Sequence, residues 1–309
     1  MKLIMYHYVQ KLNKDFKFLP YLSFNNFKKQ IFFFKKKYHL LDCNNLFSKN
    51  FYDKKSLFLT FDDGLSGHYK FVYKFLKNEN INGIFYVPSL PYQKRKILDV
   101  HKIHLIIGKI GSKKAYEKLN QIIERNKKYF DTLSFEKYKN KIYLEEKSNS
   151  DVFNFKSYLN YFVKKNFRSI LTDKIFKNIF GNNESKICKN FYLKEEEIKE
   201  MANNNMIIGS HSVSHPLLSE LTIKNAKKEI DNSFKFIEKF SNKKTFCYPY
   251  GGFHSFNKNI EKYLELEKVS FSVNVEKKNV SKKVLLNRRQ ALPRYDCNLF
   301  PFGKISNNN

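Results

Sequence analysis

Two short stretches of this chain carry residue types that could do chemistry together. The first, Leu59-Thr60-Phe61-Asp62-Asp63-Gly64, sets two adjacent carboxylates before a glycine. The second, Ser210-His211-Ser212-Val213-Ser214-His215-Pro216, holds two imidazoles four residues apart. Like charges a few ångströms apart resist joint ionisation, so paired acids need a metal or a shared proton. Histidines at i and i+4 lie on one face of a helical turn, a spacing that lets both grip one ion. The two stretches together offer a His-His-carboxylate set with a spare carboxylate. That set suits a divalent catalytic ion, Zn²⁺ by default. One aspartate would be a ligand, and the other a base acting on a water made acidic by the ion. Alone, Asp-Asp-Gly is equally a surface turn, and an H-x-x-x-H pair recurs by chance. What favours a site is that each stretch directly follows an apolar strand.

A third stretch, Cys247-Tyr248-Pro249-Tyr250-Gly251-Gly252, ends another apolar run. Pro249, Tyr250 and Gly251 would form a turn offering an aromatic wall for a sugar ring and a backbone N–H for an oxyanion. By itself it is also an ordinary proline turn.

The elements that must position these residues follow from the apolar pattern. Lys2–Tyr8 suits a first strand ending near His7, and Leu57–Asp63 suits a buried strand that stops at its acids. Gly64 allows the sharp turn by which neighbouring side chains converge. Ser23 is an N-cap candidate for a helix with Phe24, Phe27, Ile31 and Phe34 on one face. A helix over about 68–77 and a strand at Ile84–Val87 follow. This alternation predicts βα units and a parallel sheet or barrel. From about 91 to 190 the rhythm gives way to lysine-rich helical patterns, read as a mostly helical insertion and a candidate lid or partner surface. It then resumes: a helix at 193–203, a strand at 206–209, a helix from about Thr222, and a strand at 245–248. A helix near 257–266, a strand at 269–275 and a last strand near 291–295 complete the set. The tail, 307–309, is expected to be disordered.

Composition bounds the class. With 309 residues and 42% hydrophobic content, the chain has ample material for a core. Six of its 58 basic residues are arginine, so the net charge of +29 reflects abundant lysine, as an AT-rich genome would produce. A basic surface favours anionic partners, among them nucleotide sugars and phospholipid headgroups. No basic patch interleaved with aromatics and no helix-turn-helix, RRM or zinc-finger pattern is found, which argues against nucleic-acid binding. The four cysteines form no C-x-x-C pair. The N-terminus lacks the apolar core of a signal peptide, and no apolar run could span a membrane. A cytoplasmic protein is expected, with peripheral contact to an anionic inner membrane face allowed by its lysines.

The ordered set T-F-D-D-G, H-S-x-x-H and Y-P-Y-G resembles the polysaccharide deacetylase family, carbohydrate esterase family four. The resemblance covers roughly 1–90 and 190–300, and the Met5-Tyr6-His7 start is similar to members acting on surface glycans. It implies a distorted (β/α) barrel with fewer than eight units and metal-dependent removal of an acetyl (or formyl) group from an amino sugar. By motif position, Asp62 would be the base, and Asp63, His211 and His215 would hold the metal. The Tyr250 N–H would help hold the oxyanion. The substrate would be an acetylated amino sugar, nucleotide sugar or lipid-linked glycan. The family's third motif often begins with arginine, where this chain has Cys247. Arg294 is the candidate replacement, the alternative being an ordinary surface arginine. A tryptophan-containing motif is absent, and no Leu-x-x-His motif is found. The general acid is therefore sought at His7, with His254 behind it; His101 and His104 read as structural. Rival readings are a hydrolase of a non-sugar amide, a degenerate glycan-binding protein on the same fold, and a nucleic-acid binder.

Overall fold

In the computed structural model, which describes residues 1–48, 50–142 and 149–306, the apolar runs become parallel strands. They are β1 (Lys2–Tyr6), β2 (His39–Leu40), β3 (Ser56–Phe61), β4 (Ile84–Val87), β5 (Ile207–Ser210), β6 (Thr245–Cys247), β7 (Phe271–Val273) and β8 (Tyr295–Asp296). Their order is β8-β1-β3-β4-β5-β6-β7, with β2 paired beside the start of β3. Every pairing in this sheet is parallel. All six residues of β3 are buried, as a strand covered on both faces requires. Phe61 stacks between Tyr6 and Phe85, with centroids 5.2 and 4.7 Å away.

The sheet curls far enough for one segment to touch both of its ends. Leu292 donates its N–H to Ser272 and accepts from Asn274, while Arg294 accepts from Glu276. Two residues on, Tyr295 and Asp296 pair with Ile4 and Met5 of β1. This is a distorted (β/α) barrel with fewer than eight units. The last strand expected over 291–295 is corrected by the same observation: Leu292–Arg294 bond to the β7 side first, so pairing with β1 starts at Tyr295.

Among the helices that accompany these strands are α1 (Phe24–Lys37), α2 (Lys74–Asn78), α3 (Glu195–Asn203), α4 (Ile223–Ile237) and α5 (Lys258–Leu266). The Ser23 side chain accepts from the Asn26 N–H to start α1, and Thr222 does the same for α4 through Asn225. The helix expected from about residue 68 opens instead as a π-helical turn, His68–Tyr73. That turn packs His68 against both Phe61 and Phe85.

The chain divides into two compact units. One comprises 1–11, 21–94 and 189–305 and holds the sheet; the other comprises 12–20, 95–188 and the terminal residues from 306. In the second unit, the helix Asp99–Ile110 buries Lys102, which pairs with Asp173 at 2.5 Å and Glu184 at 2.9 Å. His101 is buried in the same helix, which also carries His104. The disorder expected of 307–309 lies outside the described residues. Among the described residues no helix is long and apolar enough to cross a membrane.

Candidate active site at the carboxyl edge of the sheet

Strand register brings the chemistry-bearing residues to one edge. Tyr6 is level with Phe61, so His7 and Asp62 emerge together. Ser210 is level with Phe246, so His211 emerges beside Cys247. In parallel α/β sheets the carboxyl ends of the strands are where loops and ligands meet.

Asp62 and Asp63 share this edge because β3 ends at Phe61. Asp63 then takes φ 80° and Gly64 φ 60°, which breaks the strand's alternation and turns the second acid back toward its neighbours. Asp63 Oδ1 lies 3.4 Å from His211 Nε2 and 3.9 Å from His215 Nε2. One donor atom from each of the three lies within 4.8 Å of the others, and all three residues are buried. Tetrahedral ligands bound at about 2.0–2.1 Å sit roughly 3.3–3.4 Å apart, so the His211–Asp63 edge already has the required length. His211 Nδ1–H donates to the Cys247 carbonyl at 2.9 Å. That bond fixes the orientation of the ring and turns Nε2 toward Asp63. The donor set fits a divalent ion.

The helical turn expected between the two histidines is not what brings them together. The segment is a loop in which Ser212 and His215 adopt φ 61° and 57°. The rings meet edge to face with centroids 4.8 Å apart. Left-handed residues and hydrogen bonds to neighbouring elements, rather than a helix, produce the convergence.

Asp62 faces the other way. Its Oδ1 and Oδ2 accept from Arg294 Nη1 and Nη2, both at 2.7 Å, a bidentate pair. Arg294 is 1% exposed and also bonds Thr60 Oγ1, the Asn274 carbonyl and Cys247 Sγ at 3.0, 3.1 and 3.1 Å. Cys247 Sγ–H donates in turn to Asp62 Oδ2 at 3.4 Å. Burial alone would push the Asp62 carboxyl up; the Arg294 charge overturns this and holds it at about 2. Burial also disfavours a charged His211, but Cys247, Asp63 and Asp62 around it raise its pKa well above the ordinary histidine value.

His7 Nε2 lies 3.8 Å from Asp62 Oδ2, with more than a third of its side chain exposed. The His7 carbonyl accepts from His68 Nε2–H at 2.7 Å. Tyr250, at φ 62°, sets its ring 4.9 Å from that of His215. Gly251 follows Pro249-Tyr250 at φ 70°, and a Cβ there would collide with Val275, so this turn requires glycine. His254 sits two residues past this turn, and its carbonyl accepts from Ser219 Oγ at 2.6 Å. Sequence reasoning passed over Thr60, Asn274 and His68, buried polar residues on apolar elements, and Glu229, on the polar face of α4.

The model of the polysaccharide deacetylase family matches residues 161–269. No curated protein matches the chain in sequence. Among solved structures, the fold is similar to that of the Streptococcus pyogenes deacetylase PplD in complex with acetate, with TM-score 0.58 and 14% identity, over 98% of this chain and 95% of that one. It is also similar to IcaB from Ammonifex degensii, with TM-score 0.50 and 13% identity over 95% of this chain and 90% of that one. A de-N-acetylase from Aggregatibacter actinomycetemcomitans gives TM-score 0.50 and 14% identity over 95% and 93%. At these identities the likeness is one of fold.

Proposed function

We propose that this chain, which matches the polysaccharide deacetylase family in sequence and shares the fold of deacetylases of known structure, is a metal-dependent hydrolase that removes the acetyl group from an amino sugar in surface-glycan or nucleotide-sugar metabolism. The observation that carries this reading is one buried edge with two separate groups. Asp63, His211 and His215 converge there, beside an Asp62 that Arg294 keeps ionised.

Asp63, His211 and His215 would hold the ion. A divalent ion at that position supplies Lewis acidity to a carbonyl oxygen and to water. Asp62 takes the water's proton. A carboxylate held at about 2 is a weak base, so it works only on a water already made acidic, while Arg294 favours its ionised form. Arg294 is a positioning residue, since it is buried behind Asp62 and acts through that carboxylate. His7 stands on the accessible side of Asp62 and gives a proton to the departing amine. The Tyr250 turn, against His215, forms the wall for the sugar ring and offers its N–H to the oxyanion. Amide and water leave as acetate and amine. The setting we propose is cytoplasmic, in keeping with four buried thiols and no disulfide among the described residues.

Acetate release is to be measured over acetylated nucleotide sugars, lipid-linked glycans and polysaccharides, with and without chelator, alongside the metal content of the purified protein. We expect about one transition ion per chain, release that chelator stops, and an Asp62→Asn variant that keeps the ion and loses turnover. Glycan affinity without acetate, or release only from non-sugar amides, would overturn the proposal.

A further inference from the structure

The loop between the two histidines satisfies its backbone in a particular way. The carbonyls of Ser212 and Val213 accept from the N–H groups of Ser89 and Leu90 at 3.2 and 3.0 Å. The His215 N–H donates to Ser212 Oγ at 3.0 Å. The N–H groups of Val213 and Ser214 both donate to Oε2 of Glu229, at 3.0 and 2.8 Å. Ser214 Oγ–H donates to the other carboxylate oxygen at 2.7 Å. A single half-buried carboxylate thus takes three donors from the residues between His211 and His215.

Its own position is fixed. Glu229 projects from α4, and one turn further along, Ser233 Oγ bonds Ser210 Oγ, the residue immediately before His211. Ser233 Oγ–H also returns to the Ile230 carbonyl at 2.7 Å, which ties that contact to the helix backbone. The loop needs such a hold because Ser212 and His215 sit in the left-handed region, which non-glycine residues occupy only where their surroundings impose it.

We infer that Glu229 is a positioning residue for the metal ligands. By gathering the Val213 and Ser214 donors, it fixes the separation and facing of the His211 and His215 imidazoles. This rests on the metal reading above. Glu229 has no role as a ligand, since its oxygens are directed to backbone and hydroxyl donors of the loop. A neutral side chain of the same length keeps one acceptor and cannot serve all three donors. Glutamine should therefore fall between glutamate and alanine.

The test is Zn²⁺ and Co²⁺ affinity of the whole chain, by competition with a chromophoric chelator, and the visible absorption of the cobalt-loaded protein. Urea unfolding of the metal-free proteins reports whether the fold survives. We expect Glu229→Ala to weaken binding by about 10- to 100-fold and to change the cobalt bands, which report ligand geometry. Glu229→Gln should lie between, with a metal-free unfolding midpoint close to that of the native chain. Native affinity and native cobalt bands in Glu229→Gln and Glu229→Ala would overturn the inference while leaving the metal site intact. If the native chain binds neither ion, the metal reading fails, and the inference with it. Should Glu229→Ala fail to fold, Glu229→Gln decides alone, native binding in it being the refuting result.

Discussion

Replacing Arg294 with methionine keeps much of its volume and removes the largest positive charge beside Asp62. The guanidinium is 1% exposed and closes both oxygens of Asp62 at 2.7 Å. Asp62 is held at about 2 against an ordinary 3.8, although burial pushes the other way. At about 1.4 kcal/mol per pH unit, that difference alone is worth about 2–3 kcal/mol of folding stability. The carboxylate left behind is buried without a counter-charge, and breaking such a pair costs about 3–5 kcal/mol. The sign with pH is specific. An acid whose pKa is depressed on folding stabilises above its unfolded value, and this is lost as pH falls from 3.8 toward about 2. With Arg294 gone, the largest opposing charge is lost and burial raises the carboxyl, with only His211 and His7 still pulling it down, so Asp62 destabilises at neutral pH and less so in mild acid. Urea unfolding of the metal-free chain should show Arg294→Met weaker by about 3–5 kcal/mol near neutral pH, with the gap narrowing toward about pH 4.5. Adding Asp62→Asn should recover part of the loss. A deficit under about 1 kcal/mol, or one that does not change with pH, would refute the assignment of Arg294 as the group that keeps Asp62 charged.

Two further outcomes are expected. Burial holds His68 at about 4 rather than 6.5, with the His7 carbonyl partly offsetting it. The unfolded chain therefore binds the extra proton first, and stability should fall by about 3 kcal/mol as pH drops from 6.5 to about 4. Chemical denaturation across that range should show the slope, and His68→Phe should flatten it. Cys247→Arg puts a second guanidinium where Arg294 already lies 3.1 Å from the sulfur. It should cost about 3 kcal/mol or more by crowding and charge. Exchanging both, Cys247→Arg with Arg294→Cys, should restore part of the stability and of the acetate release that the single change loses.

Much of this arrangement could be read before any coordinates, and the reasons differ by residue. Asp62 and Asp63 stood out because an unbroken apolar run stops at them, and strand ends are where parallel sheets expose side chains. His211 and His215 stood out by spacing, although a loop rather than a helical turn brings them together. Arg294 could be singled out because arginine is scarce here and the third motif carries cysteine. The chain places it against Asp62 from the segment that touches both ends of the sheet. Glu229 was illegible: on the lysine-rich polar face of α4, an acid that grips a loop has the same pattern as one facing water. Asn274 and His68 were hidden for the opposite reason, as polar residues inside elements whose apolar neighbours set the period.

The separation of Asp62 from its cation has a consequence for how the protein is made. The two residues are 232 positions apart, and the acid comes first. At about 5–20 residues per second, the ribosome needs roughly 10 to 45 seconds to supply the arginine after the aspartate. During that interval β1, β3 and β4 are available to pair, but their common end carries an acid with no counter-charge, which resists being sealed from water. The nascent sheet must therefore stay wet at its chemical end until the last segment arrives. One guanidinium then completes the wall and sets the charge of the base in a single event.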